Sequence, residues 1–174
     1  GISDKIYENE GAKILNVEDE VISKSDLILQ MSILNDENLK KLKKNQIFIG
    51  VLNTFVNEKK LGEITSRDVH CFSLELLPRI TRAQSMDILS SQANLAGYKA
   101  VVDSFAYYQK AIPMMMTAAG TISAAKVLVV GAGVAGLQAI ATAKRMGAIV
   151  YATDVRIASK EQVESLGGKF LIVE

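Results

Sequence analysis

Short apolar runs alternate with charged segments along the first 76 residues of the chain. Four apolar runs predict β-strands: AKIL (12–15), DLILQM (26–31), QIFIGVL (46–52) and VHCFSLEL (69–76). Three charged segments between them predict helices: EDEVISKS (18–25), NDENLKKLKKN (35–45) and TFVNEKKLGEITSRD (54–68). Asn35 or Asp36 is the expected cap of the second helix. Continuous apolar strands separated by helices are typical of a parallel sheet with helices on its faces.

A single helical pattern runs from Gln84 to about Lys110. Beyond Pro113, the pattern predicts strands and helices in the order 126–130, 134–146, 148–153, 158–166 and 169–173. This β-α-β-α-β order predicts parallel strands joined by right-handed crossovers. Residues 111–143 carry a single charge, but a proline and several glycines interrupt them. We therefore expect a loop, strand, turn and helix there, and no direct membrane span.

These elements predict an α/β protein with two Rossmann-like parallel-sheet domains joined by a long helix. The expected division is an N-terminal domain at 1–83, a linking helix at 84–112 and a second Rossmann-like domain at 113–174. A complete doubly wound sheet uses two β-α-β-α-β halves, and the last domain contains about one. We therefore expect both domains to be incomplete and the chain to be a fragment, inactive by itself.

Charge and cysteine content exclude several classes of function. The chain has 20 basic and 19 acidic residues and a net charge of +1, which argues against binding to nucleic acid. Its one cysteine and one histidine, Cys71 and His70, cannot form a disulfide or a multi-ligand metal site. We expect this pair to lie at a strand end packed in the core. The alternative is a lone catalytic histidine or thiol, for which the pattern offers no nearby partner.

The motif G-x-G-x-x-G is formed by Gly131, Gly133 and Gly136, directly after a predicted strand and at the start of a predicted helix. In this context the first glycine permits a tight turn and the second lets a pyrophosphate approach the backbone. The third lets the helix and the strand pack closely. The N–H groups near Val134 would face the anion, with the helix dipole adding to the attraction.

Asp154 ends the next predicted strand, about 20 residues beyond the glycines. A carboxylate here accepts hydrogen bonds from the adenosine ribose and repels a 2′-phosphate, so the motif favours NAD(H) over NADP(H). The nearby Arg156 could instead accept a phosphate. The alternative interpretation is a turn needed only for packing, with Asp154 as a helix cap.

The sequence offers no catalytic acid–base pair beside this motif. Dehydrogenases acting on small substrates usually need such a group, whereas hydride transfer between two nicotinamides needs orientation, close approach and exclusion of water. The pattern therefore favours the second kind of reaction.

Longer stretches of the sequence carry a more specific resemblance. Five stretches resemble the NAD(H)-binding domain I, or alpha subunit, of proton-translocating NAD(P) transhydrogenase. They are PRITRAQSMDILSSQANLAGYKAV, MTAAGTI, AKVLVVGAGVAGLQAIATAKRMGA, ATDVR and KEQVESLGGKF. The resemblance covers essentially the whole chain and is strongest from Pro78 onward. It implies that domain I passes a hydride from NADH to NADP⁺ bound on a partner domain III. It also implies coupling to proton movement through a membrane domain II.

The resemblance further implies a homodimer, peripheral to the cytoplasmic face of the bacterial inner membrane or to the matrix side in an organelle. Arg79, Gln84 and Asp87 would orient the nicotinamide without acting as acids or bases. The family's remaining cofactor contacts fall on residues at three places in this chain: Ile80, Thr81, Arg82 and Ser90; Gly131, Gly133, Val134 and Gly136; Asp154, Val155 and Arg156.

Polar residues at the start of the long helical pattern agree with a role in orienting the nicotinamide. Gln84, Asp87, Ser91 and Asn94 recur every three or four residues, which predicts one polar stripe on a helix. Helix capping and a solvated surface are the alternative interpretation. Two further functions stay open at this stage: an oxidoreductase like alanine dehydrogenase, and a regulatory module that binds NAD(H) without catalysis.

Overall fold

The structure, a computed structural model, describes residues 1–173 of the chain. The chain divides into two compact units, Gly1–Asp87 and Ile88–Glu174. Both are α/β, with parallel three-stranded sheets. The α/β class predicted from the alternation of apolar and charged segments is therefore confirmed.

The first unit contains three strands and four helices. In chain order they are α1 (Asp4–Asn9), α2 (Glu18–Lys24), β1 (Leu27–Ser32), α3 (Asp36–Leu39), β2 (Ile47–Val51), α4 (Glu58–Thr65) and β3 (His70–Ser73). Strand β2 lies between β1 and β3, and both pairings are parallel. The side chain of Asn35 accepts a hydrogen bond from the N–H of Asn38 at 2.8 Å, which confirms Asn35 as the cap of α3.

Helices cover one face of this sheet. Ile28 and Phe48 pair across β1 and β2, and both belong to the core that α2, α3 and α4 complete. On the opposite face, Leu29 and Phe72 are 72% and 57% exposed. The expectation of helices on the sheet faces holds for one face of this unit. The strands are apolar on both sides, so the second face presents an uncovered apolar surface.

Several predicted elements in the first unit are wrong or too long. Residues 12–15 form no strand, because the sheet of this unit offers them no hydrogen-bonded neighbour. The helices predicted at 35–45 and 54–68 are shorter in the structure, where they are α3 and α4. The strand predicted at 69–76 ends in a 3₁₀ turn. His70 is exposed, whereas Cys71 is half-buried and packs against the core of this unit, so the expected packing holds for Cys71 only.

The carboxylate of Glu75 holds together the ends of two strands in the first unit. Its two oxygens accept hydrogen bonds from the N–H groups of Leu52 and Thr54, both at 3.2 Å. Leu52 and Thr54 follow β2, and Glu75 follows β3. Between them, Asn53 has a left-handed φ of 48°, so the chain turns sharply at the edge where the parallel strands end.

The second unit contains five strands and three helices among the described residues. In chain order they are α5 (Ile88–Tyr107), β4 (Met115–Thr117), β5 (Gly120–Ile122), β6 (Lys126–Val130), α6 (Val134–Arg145), β7 (Ile149–Thr153), α7 (Lys160–Ser165) and β8 (Lys169–Phe170). Strands β4 and β5 form an antiparallel hairpin, and β6, β7 and β8 form a parallel sheet in that order. The predicted β-α-β-α-β order is confirmed.

The core of the second unit also lies on one face of its sheet. Val127, Val150 and Ala152 pack with side chains of α5, α6 and α7. Leu128 and Val130, which point to the other face, are 61% and 78% exposed. Segment 111–143 folds as the hairpin, strand β6, a turn and most of α6. No helix in the described part of the chain is long and apolar enough to cross a membrane.

Helix α5 approaches α6 closely at one glycine. A Cβ built on Gly97 would lie 2.0 Å from the carbonyl oxygen of Ala135, in the first turn of α6. Only a residue without a side chain allows this approach, so Gly97 fixes how the long helix packs beside the turn that opens α6. The hydrophobic periodicity of α5 did not reveal this role.

Candidate dinucleotide-binding site

The turn between β6 and α6 has the geometry that its first glycine predicts. Gly131 has φ of +94°, a conformation that L-residues with side chains rarely adopt. Its N–H donates to the carbonyl of Thr153 at 2.8 Å, which ties the turn to the end of β7. The chain therefore leaves the sheet abruptly and enters α6 at Val134.

The other two glycines of the motif differ in what surrounds them. A Cβ on Gly136 would lie 1.8 Å from the carbonyl oxygen of Gly131, so this glycine is required for packing of the turn against the helix. A Cβ on Gly133 would meet no protein atom within 4 Å. Packing within the described part of the chain does not require a glycine there. The open space fits the close approach of a ligand to the backbone.

Helix α6 begins at this open space. Gly133 is its N-cap, and the helix runs for 12 residues. The first turn of a helix presents N–H groups without intrahelical partners, and the helix dipole places partial positive charge there. Val134, in that turn, is 44% exposed. The turn therefore offers main-chain donors to a phosphate group.

Asp154 is brought to the glycine turn by the parallel pairing of β6 and β7. One carboxylate oxygen, Oδ2, accepts the N–H of Ala132 at 2.7 Å. The other, Oδ1, accepts the N–H of Arg156 at 2.8 Å. The Asp154 side chain is only 6% exposed. The acid is thus fixed beside the turn, at the carboxyl end of a parallel strand, where ligands of such sheets bind.

The guanidinium of Arg156 also binds this carboxylate. Its Nε donates to Oδ1 of Asp154 at 3.0 Å and its Nη2 to Oδ2 at 3.1 Å. This bidentate hydrogen bonding, followed by the N–H bonds of Arg156 and Ala132, holds the pKa of Asp154 well below its usual range. Asp154 raises the pKa of Arg156 in turn, so the pair is ionised at any physiological pH.

The residues predicted to face the nicotinamide lie partly on an exposed segment of the first unit. Thr81–Met86 forms a 3₁₀ helix in which Ala83 is buried. Arg79, Thr81, Arg82 and Gln84 are exposed around that anchor. The buried alanine fixes the segment, and the polar side chains on either side of it are presented to solvent.

The predicted polar stripe is not continuous along one helix. Asp87 has φ of −75° and ψ of 88°, so the chain leaves helical geometry before α5 begins at Ile88. Gln84 therefore lies on the 3₁₀ helix, whereas Ser90, Ser91 and Asn94 lie on α5. The helix predicted from Gln84 to Lys110 is thus shorter at both ends. Spacing alone could not reveal the break.

Comparison with known proteins agrees with this geometry. Residues 1–96 match the family described as alanine dehydrogenase/PNT, N-terminal domain, and residues 100–174 match its C-terminal domain. The chain belongs to the alanine dehydrogenase/PNT family. The resemblance inferred from the RAQSMD run and the glycine motif is therefore confirmed at the level of this family.

Two members of the family are especially similar. The chain is 52% identical over its whole length to an NAD(P) transhydrogenase alpha-subunit polypeptide of Rickettsia prowazekii, and it spans 46% of that protein. The solved structure of transhydrogenase from Sinorhizobium meliloti matches with a TM-score of 0.89 and 50% identity. That match covers 99% of this chain and 49% of the other. The chain thus spans about half the length of these relatives.

A more distant member shares the fold. A solved L-alanine dehydrogenase matches with a TM-score of 0.77 at 18% identity, covering all of this chain and 49% of that protein. At this identity the match shows a common architecture of the family and nothing about substrate.

Sequence reasoning missed two features of the site. One is Gly97, whose close approach to Ala135 sets the position of α5 beside the opening turn of α6. The other is the main-chain N–H of Ala132, which donates to Asp154. Every residue except proline has a main-chain N–H, so the identity of residue 132 does not indicate that its N–H binds Asp154. The signal for Gly97 was a glycine inside an otherwise strong helical pattern, which usually marks a packing role.

Proposed function

We propose that this chain is the NAD(H)-binding portion of a proton-translocating NAD(P) transhydrogenase. The observation that carries the proposal is the carboxylate of Asp154, fixed 2.7 Å from the N–H of Ala132 beside the glycine turn. An acid in this position suits an adenosine ribose, next to an anion site at the start of α6. The 52% identity to a transhydrogenase subunit supports the same assignment.

The adenosine and pyrophosphate ends of NAD(H) would be held by the second unit. Gly131, Gly133 and Gly136 shape the turn, and the N–H groups near Val134 would bind the pyrophosphate. Asp154 would bind the ribose, with Val155 and Arg156 beside it. Val155 is 99% exposed, so its side chain is available to a ligand at this end of the site.

The nicotinamide end would be held by residues on both sides of Asp87. Arg79, Gln84 and Asp87 would orient the ring, and Ile80, Thr81, Arg82 and Ser90 would complete the contacts. Gln84 can both donate and accept, which suits an amide ligand. The proposed reaction moves one hydride from NADH to NADP⁺ and yields NAD⁺ and NADPH, so no side chain has to exchange a proton.

The proposal includes partners outside this chain. NADP(H) would be bound on a partner domain III, and a membrane domain II would couple the transfer to proton translocation. The complete subunit would form a homodimer, peripheral to the cytoplasmic face of a bacterial inner membrane or to the matrix face in an organelle. Sedimentation of the full-length protein measures the dimer directly.

The test mixes the full-length protein with the NADP(H)-binding component. We expect hydride transfer from NADH to an NADP⁺ analogue of distinct absorbance. NADH binding without transfer would instead support a regulatory module that binds the dinucleotide and catalyses nothing.

Alanine dehydrogenase activity is the second candidate, because the family that matches residues 100–174 is described by alanine dehydrogenase as well as by PNT. We expect the full-length protein to oxidise NADH no faster when pyruvate and ammonia are added. Robust turnover with these substrates would replace the transhydrogenase assignment.

A further inference from the structure

Every acceptor position on the Asp154 carboxylate is occupied by a donor of the chain itself. A carboxylate offers about four lone-pair sites. Oδ2 accepts from Ala132 N and Arg156 Nη2 at 2.7 and 3.1 Å, and Oδ1 accepts from Arg156 N and Nε at 2.8 and 3.0 Å. A ribose hydroxyl can hydrogen-bond to Asp154 only if one of these donors leaves.

The four donors are not equally free to leave. The N–H groups of Ala132 and Arg156 belong to the main chain of two turns at the ends of β6 and β7, so their removal would require those turns to rearrange. The guanidinium of Arg156 is at the end of a flexible side chain that is 62% exposed. Water can replace Asp154 as its partner, so the guanidinium is the group that can leave without a rearrangement of the main chain.

We propose that Arg156 is a specificity-determining latch on the adenosine subsite: its guanidinium occupies Asp154 until a ribose diol displaces it. The inference rests on the proposed function, because it takes this subsite as the one that binds NAD(H). Opening the latch exposes two acceptors on Asp154, which match the 2′- and 3′-hydroxyls of an unphosphorylated ribose.

The same movement affects discrimination between NAD(H) and NADP(H). A 2′-phosphate meets the negative charge of Asp154, which opposes binding. The displaced guanidinium remains close enough to pair with that phosphate, because it lies two residues along the chain. Arg156 therefore competes with NADH and assists NADPH, so its removal widens the preference for NADH.

The test measures the Kd of NADH and of NADPH for the full-length protein and for Arg156→Gln. We expect Arg156→Gln to bind NADH about two- to fivefold more tightly, because a partly exposed competitor for Asp154 is removed. NADPH should bind at least about tenfold more weakly, because the charge-assisted contact between Arg156 and the 2′-phosphate is lost. Lys160→Gln is the control, since it removes one exposed positive charge that does not contact Asp154.

An NMR measurement separates the latch from a simple contact. The Nε–H signal of Arg156, identified by its loss in Arg156→Lys, should shift on addition of NADH. It should stay unchanged on addition of reduced nicotinamide mononucleotide, which lacks the adenosine.

Three results would overturn the inference. If Arg156→Gln weakens both dinucleotides equally, Arg156 is an ordinary binding contact, and if both Kd values are unchanged, it has no role in binding. An Nε–H signal unmoved by NADH would show that the pair never opens. If the unaltered protein binds no NADH at all, the proposed function fails and the latch fails with it, a result distinct from the other three.

Discussion

At the scale of single residues, Asp154 connects the fold to the site. It fixes the glycine turn through Ala132 and presents its carboxylate where β7 ends. We expect Asp154→Ala to weaken NADH binding about 10- to 100-fold, the scale of lost hydrogen bonds to a charged group. Titration calorimetry checks this, with Asp103→Ala, an exposed carboxylate on α5, as control. An unchanged Kd would remove Asp154 from the ribose site.

Gln84 supports a prediction about rate and not about affinity. It is exposed next to the buried Ala83, so its amide is held near the surface by a fixed backbone. Gln84→Asn shortens the side chain by one methylene. We expect the rate of hydride transfer to fall more than the affinity for NADH, because the change alters the approach of the reacting groups. Single-turnover kinetics separate the two, and a rate equal to that of the unaltered protein would contradict an orienting role.

At the scale of elements, two helical glycines differ sharply in their surroundings. A side chain on Gly97 would collide with the main chain of α6, whereas one on Gly62 in α4 would meet nothing within 4 Å. We expect Gly97→Ala to lower the free energy of unfolding by about 1–3 kcal/mol through overpacking. Gly62→Ala, the matched control, should raise it by about 0.4–1 kcal/mol. Urea denaturation measures both, and equal effects would contradict the close approach of α5 and α6.

The hydrogen bonds of Glu75 predict a pH dependence of stability. Partial burial raises the pKa of Glu75, but the hydrogen bonds that its carboxylate accepts lower it by more. A lowered pKa means that the ionised form stabilises the folded state at neutral pH. That contribution is lost as the pH falls below about 4.5 towards the pKa of the folded state.

We expect Glu75→Gln to lower the free energy of unfolding by about 1 kcal/mol at pH 7, because the carboxylate is only partly buried. The difference from the unaltered chain should shrink in the acid range, as that chain also loses its carboxylate. Denaturation at a series of pH values measures this, with Glu8→Gln on the exposed helix α1 as control. A difference independent of pH would exclude the carboxylate as its cause.

At the scale of the whole molecule, each unit leaves one apolar sheet face uncovered. Leu29 in the first sheet and Leu128 in the second are 72% and 61% exposed. Surfaces of this kind promote association. We expect Leu29→Thr with Leu128→Thr to reduce self-association of the 174-residue chain while changing its stability by less than about 0.5 kcal/mol.

Light scattering against concentration measures this association. Phe55→Ser is the control, because Phe55 is 91% exposed in a turn and lies on neither sheet. An equal reduction by the control would show that the sheet faces are not the surfaces that associate.

Features set by neighbouring residues could be predicted from the sequence alone. Local backbone geometry and spacing predict the apolar strand, the glycine turn, the start of α6 and the place of Asp154 at the end of the next strand. The cap at Asn35 follows in the same way, because a cap binds an N–H only three residues along the chain. The family resemblance rested on such contiguous stretches.

Features that depend on residues distant in sequence emerged only from the packed fold. Residues 12–15 look like a strand but have no neighbour to pair with, and the apolar strands do not reveal which of their faces is covered. Three further features depend on how separate elements pack together. They are the break in the helix at Asp87, the close approach of Gly97 to Ala135, and the hydrogen bonds that Asp154 accepts from two turns. Burial and close approach are set by contacts between separate elements, which periodicity along one chain does not specify.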